Sequence, residues 1–248
     1  MRKLLTATMM AACLTTTAAC AESFDSKNTI VLNRVISSKT MAPVSMKMAE
    51  LMQPGRTPKV LNLVIDSPGG SVYAGFRFIA EMKAIQSKGT KIVCYVPGLA
   101  ASMAFHILAQ CNERIVLEES ALLWHRARVF VMFGVITAPA ADALAKDLQA
   151  IDDHILRAVS QSLHSDLPAE AIQYHFNHET LHIGKNLCDA APSFCTARAA
   201  VPGLIEVLNS RVTTQEEEQE NVLDLLSIES VVYIYSRYVE TVLDKGEE

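Results

Sequence analysis

Lys59 to Asp66 is an almost unbroken apolar run, and it ends in Asp66-Ser67-Pro68-Gly69-Gly70-Ser71. It is too short for a stable helix and apolar on both alternating faces. That predicts a strand buried on both sides, which means a parallel sheet covered by helices. The runs that follow fit this reading. Ala74 to Gln86 has helical periodicity and is stopped by Lys88-Gly89, Lys91 to Val96 is a second β-type run, and Arg114 to Leu117 is a third. Strands alternating with helices predict an α/β fold of stacked βαβ units.

The remaining segments extend the pattern. Thr29 to Ile36 alternates and is β-branched, predicting a first strand. Met41 to Met52 has apolar residues at helical spacing, and Pro54-Gly55 stops it. Ala101 to Gln110 predicts a short helix, Leu122 to Trp124 a short strand, and Ala138 to Leu163 a long helix. A further helix begins at Pro168. Gly184 to Arg198 reads as irregular, and Pro202 to Leu208 as a closing strand. Beyond Asn209, Glu216 to Glu220 is a charge run, and Val222 to Val242 has apolar residues at helical spacing. Residues 209–248 are therefore read as an appended helical extension.

The 248 residues suffice for one sizeable domain. The formal net charge is −5 and no basic cluster occurs, which argues against nucleic acid as the main partner. Arg2 and Lys3 followed by the apolar stretch Leu4 to Leu14 have the form of an export signal, too short for a stable membrane anchor. Ala19-Cys20-Ala21 has the small-x-small form of a cleavage site, making 1–21 a signal peptide and 24–208 the folded domain. Thr17-Ala18-Ala19-Cys20 also has the form of a lipoprotein box, and only lipidation at Cys20 would put this chain on a membrane. Thr17 stands where that box has Leu or Val, which favours the soluble exit. The expected location is the periplasm or, if lipidated, the cell envelope surface. Four cysteines remain: Cys94, Cys111, Cys188 and Cys195. In an oxidising compartment an even number implies disulfides. Three pairings exist; Cys188–Cys195 closes the shortest loop, and Cys94–Cys111 would then brace the segment between them.

That segment carries Gly98-Leu99-Ala100-Ala101-Ser102-Met103-Ala104. A serine where a strand turns into a helix sits beside unbonded helix amides, which favour developing negative charge. Downstream lies Leu122-Leu123-Trp124-His125, whose His125 would end an apolar strand and could act as the base that the serine requires. Ser-Pro-Gly-Gly-Ser, then Ala-Ala-Ser-Met, then Trp-His, each joined to a strand, is similar in order to the Clp protease proteolytic subunit family from about Thr29 to Leu208. The resemblance implies a Clp/crotonase-like fold and a serine peptidase. It implies Ser102 as nucleophile, His125 as general base, and the backbone amides of Gly70 and Met103 as oxyanion donors. It also implies that the Gly69–Ser71 stretch binds a peptide or unfolded protein as an added strand. A projecting strand and helix near Arg128 to Ile136 would join copies into a homo-oligomer.

The resemblance also implies a third catalytic group, an acid just after a helix, which would be Glu179 in Glu179-Thr180-Leu181 after the Pro168 helix, with Asp189 as the alternative acid. The cysteine-bearing stretch between them and Gly203-Leu204-Ile205-Glu206 is extra relative to the family. No metal or other cofactor is expected: the chemistry is acyl transfer through Ser102. The family works with an ATPase, but an exported member has no ATP and should act alone. Two rivals compete. One is a non-catalytic binding or scaffold protein of the same fold. The other is a zinc peptidase using His178-Glu179-Thr180-Leu181-His182, which satisfies H-E-x-x-H if it lies on one helix.

Overall fold

In the computed structural model, residues 28–129 and 135–212 are described. The expected signal peptide, the centre of the Arg128–Ile136 stretch, and nearly all of the C-terminal extension lie outside them. The elements run β1 (Thr29–Leu32), α1 (Ser38–Leu51), β2 (Val60–Ile65), α2 (Val72–Gln86), β3 (Lys91–Val96), β4 (Leu99–Ala101) and α3 (Met103–Ala109). They continue with β5 (Glu113–Leu117), β6 (Ala121–Leu123), α4 (Ala138–Leu163), α5 (Ala169–His178), β7 (His182–Ile183), α6 (Gly184–Ala190), β8 (Thr196–Arg198) and α7 (Leu204–Val212).

Two sheets form. The larger is parallel throughout, in the order β1-β2-β3-β5-β8. Its central strands are buried on both faces: Leu61, Leu63, Val64, Ile65, Ile92, Cys94 and Val96 are all inaccessible or nearly so. One face packs on Phe78, Met82, Phe105, Leu108 and other helical residues. The other packs Val64, Val93 and Tyr95 against Leu204. The continuous apolar run of β2 thus has its physical cause in two covered faces. The smaller sheet, β4-β6-β7, joins β4 to β6 in parallel and β6 to β7 in antiparallel. Its register sets Leu99 opposite Ala121, Ala100 opposite Leu122 and Ala101 opposite Leu123.

Several segments differ from the sequence-based expectation. The first strand stops at Leu32, and Ile36 makes only an isolated bridge to Gly70. Pro202 to Leu208 is not a strand: after Gly203, at φ +81°, the chain enters α7. Leu204 and Leu208 both pack on the outer face of the sheet, and their spacing of four is helical. The edge strand is instead β8, inside the stretch read as irregular. Gly184 to Ala190 in the same stretch is helical.

Both disulfides are formed. Cys94 of β3 is bonded to Cys111 just after α3, with Cα atoms 6.0 Å apart, and Cys188 of α6 to Cys195, with Cα atoms 5.0 Å apart. Arg114 reaches back over the end of α3, donating to the carbonyls of Leu108, Ala109 and Cys111 and to that of Phe194. A cation at a helix C-terminus satisfies carbonyls that have no partner within the helix. Burial lowers this guanidinium to about 10.

Candidate active site

Ser102 lies between β4 and α3, which begins at Met103, two residues later than the expected start at Ala101. Its backbone has φ +57° and ψ −123°, outside the regions where L-residues settle, and its side chain makes no capping hydrogen bond. Such a conformation costs roughly 1–3 kcal/mol and persists only when its surroundings hold it. They do so here: Ser102 N–H donates to Leu123 O at 2.9 Å, and Ser102 O accepts from His106 N at 3.2 Å. The turn lifts the hydroxyl out of the cap position. The amides of the first turn of α3, Met103 foremost, have no partner within the helix.

The Ser67–Ser71 turn presses against this corner. Ser67 donates its hydroxyl to Arg34 O at 2.6 Å and accepts from Gly69 N at 3.1 Å. Its backbone brackets β4, with Ser67 N to Leu99 O at 2.8 Å and Ala101 N to Ser67 O at 3.1 Å. Gly69 has φ +91°, and a Cβ there would lie 2.6 Å from Ala101 O and 2.9 Å from Met103 N. Gly70 bridges Ile36 through its neighbours' groups: Gly69 O accepts from Ile36 N and Ser71 N donates to Ile36 O. In a parallel bridge the middle residue turns its own N–H and C=O to the other side. The Gly70 amide therefore points away from Ile36. The Ser71 hydroxyl caps α2 by accepting from Ala74 N at 3.4 Å.

His125 follows β6 by two residues. Because β4 and β6 are parallel and in register, Ser102 and His125 leave the small sheet at the same end. The His125 ring bonds through Nδ1 to Arg126 O at 2.6 Å. Burial lowers its pKa. The bond to the Arg126 carbonyl opposes this, the charge of Arg128 adds to it, and the charges of Glu179 and Asp152 oppose it. Among the described residues no hydrogen bond links Ser102 Oγ to this ring.

The antiparallel pairing of β6 with β7 sets Leu122 opposite His182. The same register, continued past the strand ends, draws Glu179 abreast of His125. Glu179 is a left-handed C-cap at φ +53°, and its carboxylate is ion-paired with Arg128. Asp189 lies on α6, is exposed, and pairs with Lys185 at 3.1 Å. A residue that sequence reasoning passed over, Asp152 of α4, is buried. It accepts from Ala127 N at 2.7 Å and from Arg126 Nη1 at 3.0 Å. Its only trace in the sequence is a carboxylate on the apolar face of the long helix.

The H-E-x-x-H stretch does not form one helical face. α5 ends at His178, Glu179 reverses the chain, and His182 is in β7. His182 stacks on Trp124 at 4.5 Å, with His175 edge-on to both rings. Among the described residues no three His, Cys, Asp or Glu side chains gather as a metal-holding set.

The family model for Clp protease matches residues 15–181, a span holding Ser67 to Ser71, Ser102, His125, Asp152 and Glu179. The chain belongs to the Clp protease family. It is 31% identical over 144 residues to ATP-dependent Clp protease proteolytic subunit 1 of Chlamydia abortus, covering 54% of this chain and 70% of that protein. It is 33% identical over 118 residues to the protein of the same name from Chlamydia muridarum, covering 46% of this chain and 56% of that protein. Membership of this family gives the chain a Clp-protease-like serine hydrolase function in general terms.

Proposed function

We propose that this Clp protease family member is a serine peptidase that hydrolyses peptide bonds through an acyl-enzyme at Ser102. The observation that carries the reading is the backbone of Ser102, strained to φ +57° between a strand and a helix N-terminus and held there by its bonds to Leu123 and His106. His125 takes the serine proton as attack proceeds, and later returns it to the leaving amine. The amides of Gly70 and Met103 receive the oxyanion. A peptide or unfolded segment adds as a strand along Gly69 to Ser71. Glu179 contributes charge near His125, while its carboxylate is shared with Arg128.

The relatives are ATP-dependent by name. The export-like N-terminus supports a different working place for this chain, the periplasm or envelope, without ATP and on short or loose peptides. The exposed apolar residues Val135 and Ile136 ahead of α4 support assembly of several copies.

A fluorophosphonate probe tests the chemistry. It should label Ser102 in folded wild-type protein, with labelling and peptide hydrolysis lost in Ser102→Ala and indifferent to chelators. Ser102→Ala and His125→Ala should each cost about as much as the double variant, because the two act as one unit. An unlabelled folded protein, or hydrolysis surviving Ser102→Ala, refutes the reading. A second reading, a non-catalytic scaffold of the same fold, is favoured by one observation: the carboxylate abreast of His125 is paired with Arg128. It predicts no labelling.

A further inference from the structure

α4 buries Asp152, Ile155, Val159 and Leu163, one stripe at helical spacing. Three of the four are aliphatic. A carboxylate in that stripe carries a desolvation cost unless its oxygens are bonded. Here both are: Oδ1 accepts the Ala127 amide at 2.7 Å and Oδ2 accepts Arg126 Nη1 at 3.0 Å. Arg126 is also tied to α5, donating through Nε to Asn177 Oδ1 at 2.9 Å and lying over the Phe176 ring. The Arg126–Ala127 peptide is therefore fixed on both flanks. The carbonyl of that peptide, Arg126 O, is the group bonded to His125 Nδ1.

We infer that Asp152 is a positioning residue for His125, acting through the Arg126 carbonyl, and that this carbonyl holds the imidazole where a triad would use a carboxylate directly. The inference rests on the peptidase reading and adds to it. A carbonyl oxygen can only accept, so Nδ1 keeps its proton and the lone pair of the neutral ring stays on Nε2, the nitrogen a general base uses. The carbonyl also stabilises the imidazolium formed when serine gives up its proton. Asp152 locks the carbonyl by holding the next amide, Ala127 N–H. Glu179 does not take the same place while Nδ1 faces Arg126 O and its own Oε1 is paired with Arg128. The charged groups around the ring are Arg126 and Arg128 on its own segment, Asp152 on α4 and Glu179 at the end of α5.

The test uses full-length protein and two readouts. Nitrogen-15 NMR of the His125 ring should show the Nδ1–H tautomer in wild type and in Glu179→Gln, and a mixture in Asp152→Ala. In peptide hydrolysis, Asp152→Asn should lower kcat by about ten- to a hundredfold, the loss of one charged hydrogen-bond acceptor. KM should hold, and the acid limb of the pH profile should move down. Asp152→Glu should recover part of kcat. An Nε2–H tautomer in wild type overturns the proposal without any Asp152 variant. So does a tautomer that changes in Glu179→Gln but not in Asp152→Ala, or an unchanged kcat in Asp152→Asn. The NMR readout needs no turnover. A protein that is not labelled by fluorophosphonate yet keeps the Asp152-dependent tautomer would refute the peptidase reading alone.

Discussion

A Cβ on Gly69 would lie 2.7 Å from the Cβ of Ser102. Real Cβ atoms do not approach so closely, and the other obstacles are backbone atoms of Ala101 and Met103 rather than movable side chains. At φ +91° the position is also strained for any L-residue. Gly69→Ala must therefore displace the Ser102 turn, the Met103 amide or both. Fluorophosphonate labelling should slow by at least about a hundredfold, the scale of losing one oxyanion donor. Circular dichroism should show the sheet retained, and a labelling rate within threefold of wild type would contradict the assignment.

Arg128 and Glu179 act oppositely on His125: the first lowers its pKa and the second raises it. Arg128→Gln should move the acid-limb inflection of the labelling rate to higher pH, and Glu179→Gln should move it lower. Labelling measured from pH 4 to 9 checks the two directions. Shifts of the same sign would show that neither charge reaches the ring.

His106, one turn along α3 from Ser102, is 2% exposed, and its Nδ1 has no partner among the described residues. Burial first, then the charges of His154 and Lys83, lower it to about 4. The folded state therefore resists a proton that the unfolded chain accepts near 6.5. The stability this contributes is complete above about pH 6.5 and is lost as pH falls through about 4, with a magnitude of about 3 kcal/mol. Urea unfolding at intervals between pH 7 and 4 should show the loss, and His106→Phe should flatten it. His182, also lowered to about 4 by burial and His175, leaves a residual slope of the same sign.

The two disulfides close loops of different length, with sequence separations of 17 and 7. On chain entropy the first contributes about 3 kcal/mol and the second about 2 kcal/mol. Paired Cys94→Ser and Cys111→Ser should thus lower unfolding stability more than paired Cys188→Ser and Cys195→Ser. Denaturation with and without reductant measures both, and the wild-type protein in reductant should match the sum.

The parallel sheet was legible because β2 and β3 are covered on both faces, and that leaves a continuous apolar signal. α4 was legible to its end residues because its period persists for seven turns. The closing helix α7 was misread because Leu204 and Leu208 lie among β-favouring neighbours. Ser102 and His125 stood out through the motifs around them. Asp152 did not, since nothing local distinguishes a buried carboxylate on an amphipathic helix from an exposed one. Its meaning depends on Ala127, an amide brought to it only by the fold. The same holds for Glu179, whose pairing with Arg128 is a tertiary fact.

The in-register pairing of β4 with β6 makes the spacing of Ser102 and His125 a matter of strand counting rather than of chain length. Between Ser102 and Ala121 the polypeptide runs out through α3 and β5 and back. Extra residues in its turns, near Asn112 or Glu118-Glu119, would be absorbed outside the small sheet. One extra residue among Ala121 to Trp124 would carry His125 to the opposite face. Insertional scanning of this crossover should therefore find tolerance confined to those two turns and none from Ala121 to Trp124.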